Sequence, residues 1–364
     1  MTATRTRTFA VLGMLIVSLT WAAAMVCVAA PAGAVGAVAV VHRDATTPDL
    51  TEDESSFRMV FDDHPEIEEV WTYSPSMNRD IPLLVLPASV PNAPTLYLLN
   101  GVDGGVETNH WFGKGKAAEL LADKGVNVVV PVDGANSYYT DWLSPSALDR
   151  PDRGGLTQQW ATYLTEELPG PLEESLGANG TRAIVGMSMS ATSALQLVED
   201  NPGFYSAAAG LSGCYDTTSD QGRGMVDQVV AYPDTGATGE QMWGPVDGDY
   251  AQAHDPLNRV ADLRAEVQGS QIPLYFSAAN AVPNDEEATA LPEMGDPTEM
   301  TLSYSAGAAL EAGSLHCTQQ LEQALTAEGV PATIDYLPRG LHSWATFPVS
   351  LEAAWPTLAR GLFG

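Results

Sequence analysis

A chain of 364 residues, 45% hydrophobic and 17% charged, carries enough apolar material for one large core or two ordinary ones. Its 46 acidic residues against 16 basic ones give a formal charge of −30, which repels nucleic acid and anionic membranes and excludes phosphate-backbone binders. No solenoid-period repeat and no metal or phosphate-cofactor motif stands out, so no cofactor is expected.

In chain order, Arg5 and Arg7 precede an apolar run over residues 9–30, and Ala32-Gly33-Ala34 fits a small-residue cleavage site. Residues 1–34 therefore read as a secretion signal. The run is long enough to span a bilayer, so an uncleaved anchor is the alternative. Cys27 follows bulky Val26, which argues against lipid modification there. Either way the protein is expected to work outside the cytoplasm, where Cys214 and Cys317 are expected to form one disulfide. Residues 35–66 are polar, acidic and Pro-containing and read as a flexible lead-in. Residues 67–364 read as one catalytic domain.

Residues 70–73 and 81–86 suggest antiparallel opening strands. Short apolar runs follow at 95–99, 126–130, 183–185, 207–211 and 274–276, with helical stretches such as 160–168 and 191–200 between them. This alternation predicts an α/β fold, a mostly parallel central sheet with helices on both faces. Ligands in such sheets gather beyond the carboxyl ends of the strands, so chemistry is expected just after each run.

Gly186-Met187-Ser188-Met189-Ser190 lies between a predicted strand and a predicted helix. A nucleophile elbow needs that context and small neighbours two positions either side, which makes Ser188 the candidate nucleophile. Ser190 breaks the usual final glycine and reads as a helix N-cap. Of six histidines, His42 and His64 belong to the lead-in, His110 and His254 to polar loops and His316 to a helical stretch. His342 follows a plausible last strand in Arg339-Gly340-Leu341-His342-Ser343-Trp344, the place where this fold supplies its base. The acid stays open on the residues alone: Asp285, Glu286 and Glu287 stand in the loop after the run at 274–276, and Glu311 lies further on. Backbone donors for an oxyanion are expected at Met189 and at Val102, in the glycine-rich stretch Asn100-Gly101-Val102-Asp103-Gly104-Gly105.

With these residues in view, the chain resembles the secreted mycolyltransferases, the antigen 85 proteins and their corynebacterial relatives. The likeness is carried by Tyr73-Ser74-Pro75-Ser76-Met77, Leu96-Tyr97-Leu98-Leu99-Asn100-Gly101, Ser137-Tyr138-Tyr139-Thr140-Asp141-Trp142, the Gly186 to Ser190 elbow, Met242-Trp243-Gly244-Pro245 and His342-Ser343-Trp344. The resemblance implies the α/β-hydrolase fold, Ser188 as nucleophile, His342 as base and, from a Leu-Glu pair about thirty residues before the histidine, Glu311 as acid. It implies substrate contacts at Asn100, Asp103, Trp111, Ser343 and Trp344, and a disulfide from Cys214 to Cys317 that braces the acid. It also implies cell-envelope partners: trehalose mycolates as donors, and trehalose esters or arabinogalactan as acceptors. Asn100 and Asp103 stand where mycobacterial members carry aspartate and arginine, which puts the acceptor in question. A secreted carboxylesterase, or a non-catalytic envelope- or matrix-binding homologue, are the alternatives.

Overall fold

The computed structural model describes residues 40–42, 55–151, 154–264, 271–293 and 296–364. The expected secretion signal and Cys27 lie outside them. Among the described residues nine strands form one sheet: β1 (Val40–His42), β2 (Glu68–Ser74), β3 (Arg79–Leu86), β4 (Thr95–Leu99), β5 (Asn127–Pro131), β6 (Arg182–Met187), β7 (Ala207–Leu211), β8 (Leu274–Ala279) and β9 (Thr333–Leu337). Their order is β1-β2-β3-β5-β4-β6-β7-β8-β9, antiparallel from β1 to β5 and parallel from β5 to β9.

The apolar runs lack a polar alternation because both faces of the sheet are covered. Leu96, Leu98, Ala183, Val185, Ala207, Ala209 and Tyr275 pack into one layer of core. Tyr97, Leu99, Ile184, Ala208 and Phe276 pack into the other. Four helices matter to the site: α1 (Met189–Asp200), α2 (Asp285–Glu293), α3 (Pro297–Glu328) and α4 (Phe347–Phe363). α1 lies on the second face, and α4 buries Leu351, Ala354, Leu358 and Leu362 on the first. Among the described residues no helix is long and apolar enough to cross a membrane.

The lead-in differs from its sequence reading. Residues 56–62 form a 3-10 helix that buries Phe57 and Val60, and Val40–His42 pairs with β2. Arg58 reaches into the body and donates to both oxygens of buried Glu69, at 2.8 and 2.6 Å. Two buried apolar side chains and one charge-assisted pair tie residues 56–62 to the body.

Candidate active site

Register places the carboxyl ends of the central strands level with one another: Leu99 pairs with Gly186, Met187 with Leu211, and Leu211 with Ser277. The chain leaves β6 through Ser188, whose φ of 54° and ψ of −121° hold a non-glycine residue in left-handed backbone. Such a conformation costs of order 1–3 kcal/mol and persists only where its surroundings fix it. Here the Ser188 N–H donates to Leu211 O at 2.8 Å. Gly186 is obligatory, because a Cβ there would stand 1.9 Å from Ser190 O. Ser190 is not the N-cap. Its buried hydroxyl accepts from Met187 N–H at 2.9 Å and lies 3.1 Å from Leu99 O, so it ties the elbow to β4, a bond that glycine could not make. Ser188 occupies the N-cap position and leaves its hydroxyl free of the helix. Met189 opens α1, where backbone N–H groups have no intrahelical acceptor.

The Ser188 hydroxyl meets His342 Nε2 at 2.7 Å. On the other side of the ring, Nδ1 lies 2.9 Å from Glu311 Oε2. With Nδ1–H donating to that carboxyl, Nε2 is left to accept the serine hydrogen. Glu311 is fully buried near the middle of α3, and its second oxygen accepts from Ser212 Oγ at 2.8 Å and Ala279 N–H at 2.6 Å. Ser314 Oγ donates to Ser212 O at 2.9 Å, and a disulfide joins Cys214 to Cys317. The ends of β6, β7, β8 and β9 thus converge on one relay of hydroxyl, imidazole and carboxyl. Such a relay can deprotonate the serine as it attacks a carbonyl.

The competing acids stand elsewhere. All three belong to α2 rather than to a loop: Asp285 pairs with Arg339 at 3.3 Å, Glu286 with Lys116 at 3.4 Å, and Glu287 is buried against the residues that flank His342. His110 is fully buried rather than in a polar loop, and burial holds its pKa down at about 4, so it stays neutral. His254 stacks on Tyr250, and His64 lies beside Glu66 and Glu119.

The expected substrate contacts divide into two groups. Asn100 is fully buried; its amide donates to Pro131 O at 2.7 Å, and it packs so close to Gly105 (φ 94°) that a Cβ there would meet it at 2.4 Å. Trp111 is also fully buried, donating to Leu99 O at 2.8 Å with its ring edge-on to Trp344. Neither side chain reaches an open surface. Ser343 turns its hydroxyl onto Glu287. Trp344 is half-buried above Trp111, and Asp103 lines a cavity of about 300 Å³ with Trp71, Tyr73, Arg79 and Asp133. Val102 follows β4, and its carbonyl accepts from Asn136 N–H at 2.8 Å.

A cavity of about 450 Å³ runs between α2 and α3 to the imidazole, lined by Ala290, Ala306, Gly307, Leu310 and His342 among others. A larger one, about 560 Å³, opens at the opposite ends of the strands beside Ser206 and Pro273, away from this chemistry. The partners of Glu311 on Ser212 and Ala279 left no sequence signal beyond their place after β7 and at the end of β8.

Residues 74–358 match the Esterase family. The diacylglycerol acyltransferase/mycolyltransferase Ag85A of Mycobacterium tuberculosis is 31% identical over 81% of each chain. Ag85B of Mycolicibacterium smegmatis is 28% identical, over 81% of this chain and 85% of its own. Among solved structures, Mycobacterium tuberculosis MPT51 (FbpC1) superposes with a TM-score of 0.63 at 23% identity, over 81% of this chain and 98% of its own. An S-formylglutathione hydrolase from Agrobacterium tumefaciens follows at 0.57 and 15%, over 82% and 96%. The two structures speak for the fold.

Proposed function

The chain belongs to the Esterase family, and from that premise we propose that it is a serine acyltransferase working through a covalent acyl-enzyme, with mycolyl esters of trehalose as donors. Ser188 Oγ attacks the ester carbonyl as its proton passes to His342 Nε2, while Glu311 orients the ring and faces the imidazolium that forms. The N–H groups of Met189 and Val102 receive the oxyanion, each contributing about 3 kcal/mol to the transition state. Collapse expels the sugar hydroxyl, protonated by the imidazolium, and leaves the acyl group on Ser188. A second sugar hydroxyl, on another trehalose ester or on arabinogalactan, then gives its proton to His342 and takes the acyl group. The apolar part of the cavity between α2 and α3, lined by Ala290, Ala306, Leu310 and Leu341, suits an acyl chain. Transfer outruns hydrolysis only if water is kept from the acyl-enzyme while the acceptor is held.

The observation that carries this reading is the pair of contacts made by His342, 2.7 Å to Ser188 and 2.9 Å to Glu311. The Cys214–Cys317 disulfide supports work outside the cytoplasm, in the cell envelope or beyond it. A secreted carboxylesterase is the second reading. It is favoured by the acidic Asp103 in the cavity beside the β4 loop, where a mycobacterial arginine would stand.

Incubation with trehalose monomycolate separates the two. Transferase action yields trehalose dimycolate, and yields it faster as acceptor is added. Free mycolate alone, with no acceptor dependence, favours the esterase. Ser188→Ala is expected to abolish both products and fluorophosphonate labelling; retained turnover in that variant removes both readings.

A further inference from the structure

His342 stands in the loop between β9, the outermost strand, and α4, so something other than sheet pairing must fix the ring. Its own N–H donates to Gly307 O of α3 at 3.1 Å, one turn before Glu311. The ring also stands edge-on to Phe347 of α4, and a further set of ties leads to the start of α2. There Glu287 N–H donates to Asn284 Oδ1 at 2.9 Å, and Asn284 N–H donates to Glu287 Oε2 at 2.8 Å, a reciprocal capping pair. The same carboxylate accepts Leu341 N–H on both oxygens at 3.0 Å, Thr346 Oγ1–H at 3.1 Å, and the Ser343 hydroxyl. Leu341 and Ser343 are the immediate neighbours of His342. Glu287 is 5% exposed.

We propose that Glu287 is the positioning residue of the imidazole: it grips the backbone before His342 and the side chain after it, and so sets the ring's approach to Ser188. The inference rests on the serine-enzyme reading. An acid serves here because every group facing it donates. Two backbone N–H groups and two hydroxyls take up both oxygens, and glutamine would turn an NH2 toward at least one of those donors. The hydroxyl of Ser343 then belongs to this clamp and not to the substrate.

The test is the second-order rate of fluorophosphonate labelling at Ser188, with kcat and KM for a p-nitrophenyl ester, in wild type, Glu287→Gln and Ser343→Ala. Near-ultraviolet circular dichroism reports on packing. Loosening the ring is expected to slow labelling and lower kcat about 10- to 100-fold in Glu287→Gln. Ser343→Ala, which leaves the Leu341 bond intact, is expected to show a smaller loss. KM should stay within about twofold in both. Labelling and kcat equal to wild type in Glu287→Gln overturn the proposal. So does a Ser343→Ala variant that raises KM at constant kcat, since that marks a substrate contact. If Glu287→Gln fails to fold, Ser343→Ala alone decides. Wild-type protein that does not label at all overturns the serine-enzyme reading and this inference with it.

Discussion

Asp103 keeps its carboxyl beside the loop that follows β4, where burial pushes its pKa up to about 6 against the stabilising N–H of Gly105. A carboxyl whose pKa rises on folding stabilises the folded chain while protonated. That contribution is complete below pH 4 and is lost as pH climbs through 6. Asp103→Asn keeps an acceptor for Gly105 and removes the ionisation, so it is expected to gain about 1–2 kcal/mol at pH 8 and nothing near pH 3.5. Urea melts of both proteins across that range check the difference; a gap independent of pH removes the explanation. Ser188 and His342 were legible because the fold ties each to a position in chain order. Glu311 was not, since one acid among 46 carries no mark of burial, and only the resemblance chose it over Asp285. The buried state of Asn100, Trp111 and His110 was equally hidden, because the packing that covers them comes from residues distant in sequence.

Helices and strands were legible to different degrees. Residues 183–185 read as a strand from a bare apolar run, and the structure extends it by one residue before and two after, to Arg182–Met187. α3 was harder: 32 residues long, it buries only a thin row that includes Glu311, Ser314, Cys317 and Leu321, half of it polar. The disulfide compensates for that weak apolar hold. It pins α3 to the segment after β7 six residues beyond Glu311, about 9 Å along the helix. Closing a loop with a sequence separation of 103 restricts the unfolded chain by about 5 kcal/mol. The Cys214→Ser/Cys317→Ser double variant is expected to melt well below the parent. It is also expected to lose kcat at temperatures where it remains folded, because Glu311 shares the released helix. Calorimetry alongside ester turnover checks both, and unchanged kcat in the folded double variant detaches the bridge from the site.

For the molecule as a whole, the parallel crossovers were legible from the alternation of runs and helices, as was the coverage of both sheet faces. The position of the lead-in was not, since it depends on where Phe57 and Val60 find cover. The sheet also ends unequally. Among the described residues β9 pairs with β8 alone, and its residues are only partly covered or exposed, yet the histidine hangs from its far end. Ser188, by contrast, is rooted between central strands whose side chains are shut away from water. Fraying from a sheet margin needs less energy than opening its middle. On gradual warming His342 should therefore drift away while Ser188 is still seated. Ester turnover is expected to fail several degrees before the tryptophan signal of the core collapses, and cooling from that interval should restore it. Coincident loss of the two would mean that the outermost strand is as firmly held as those at the centre.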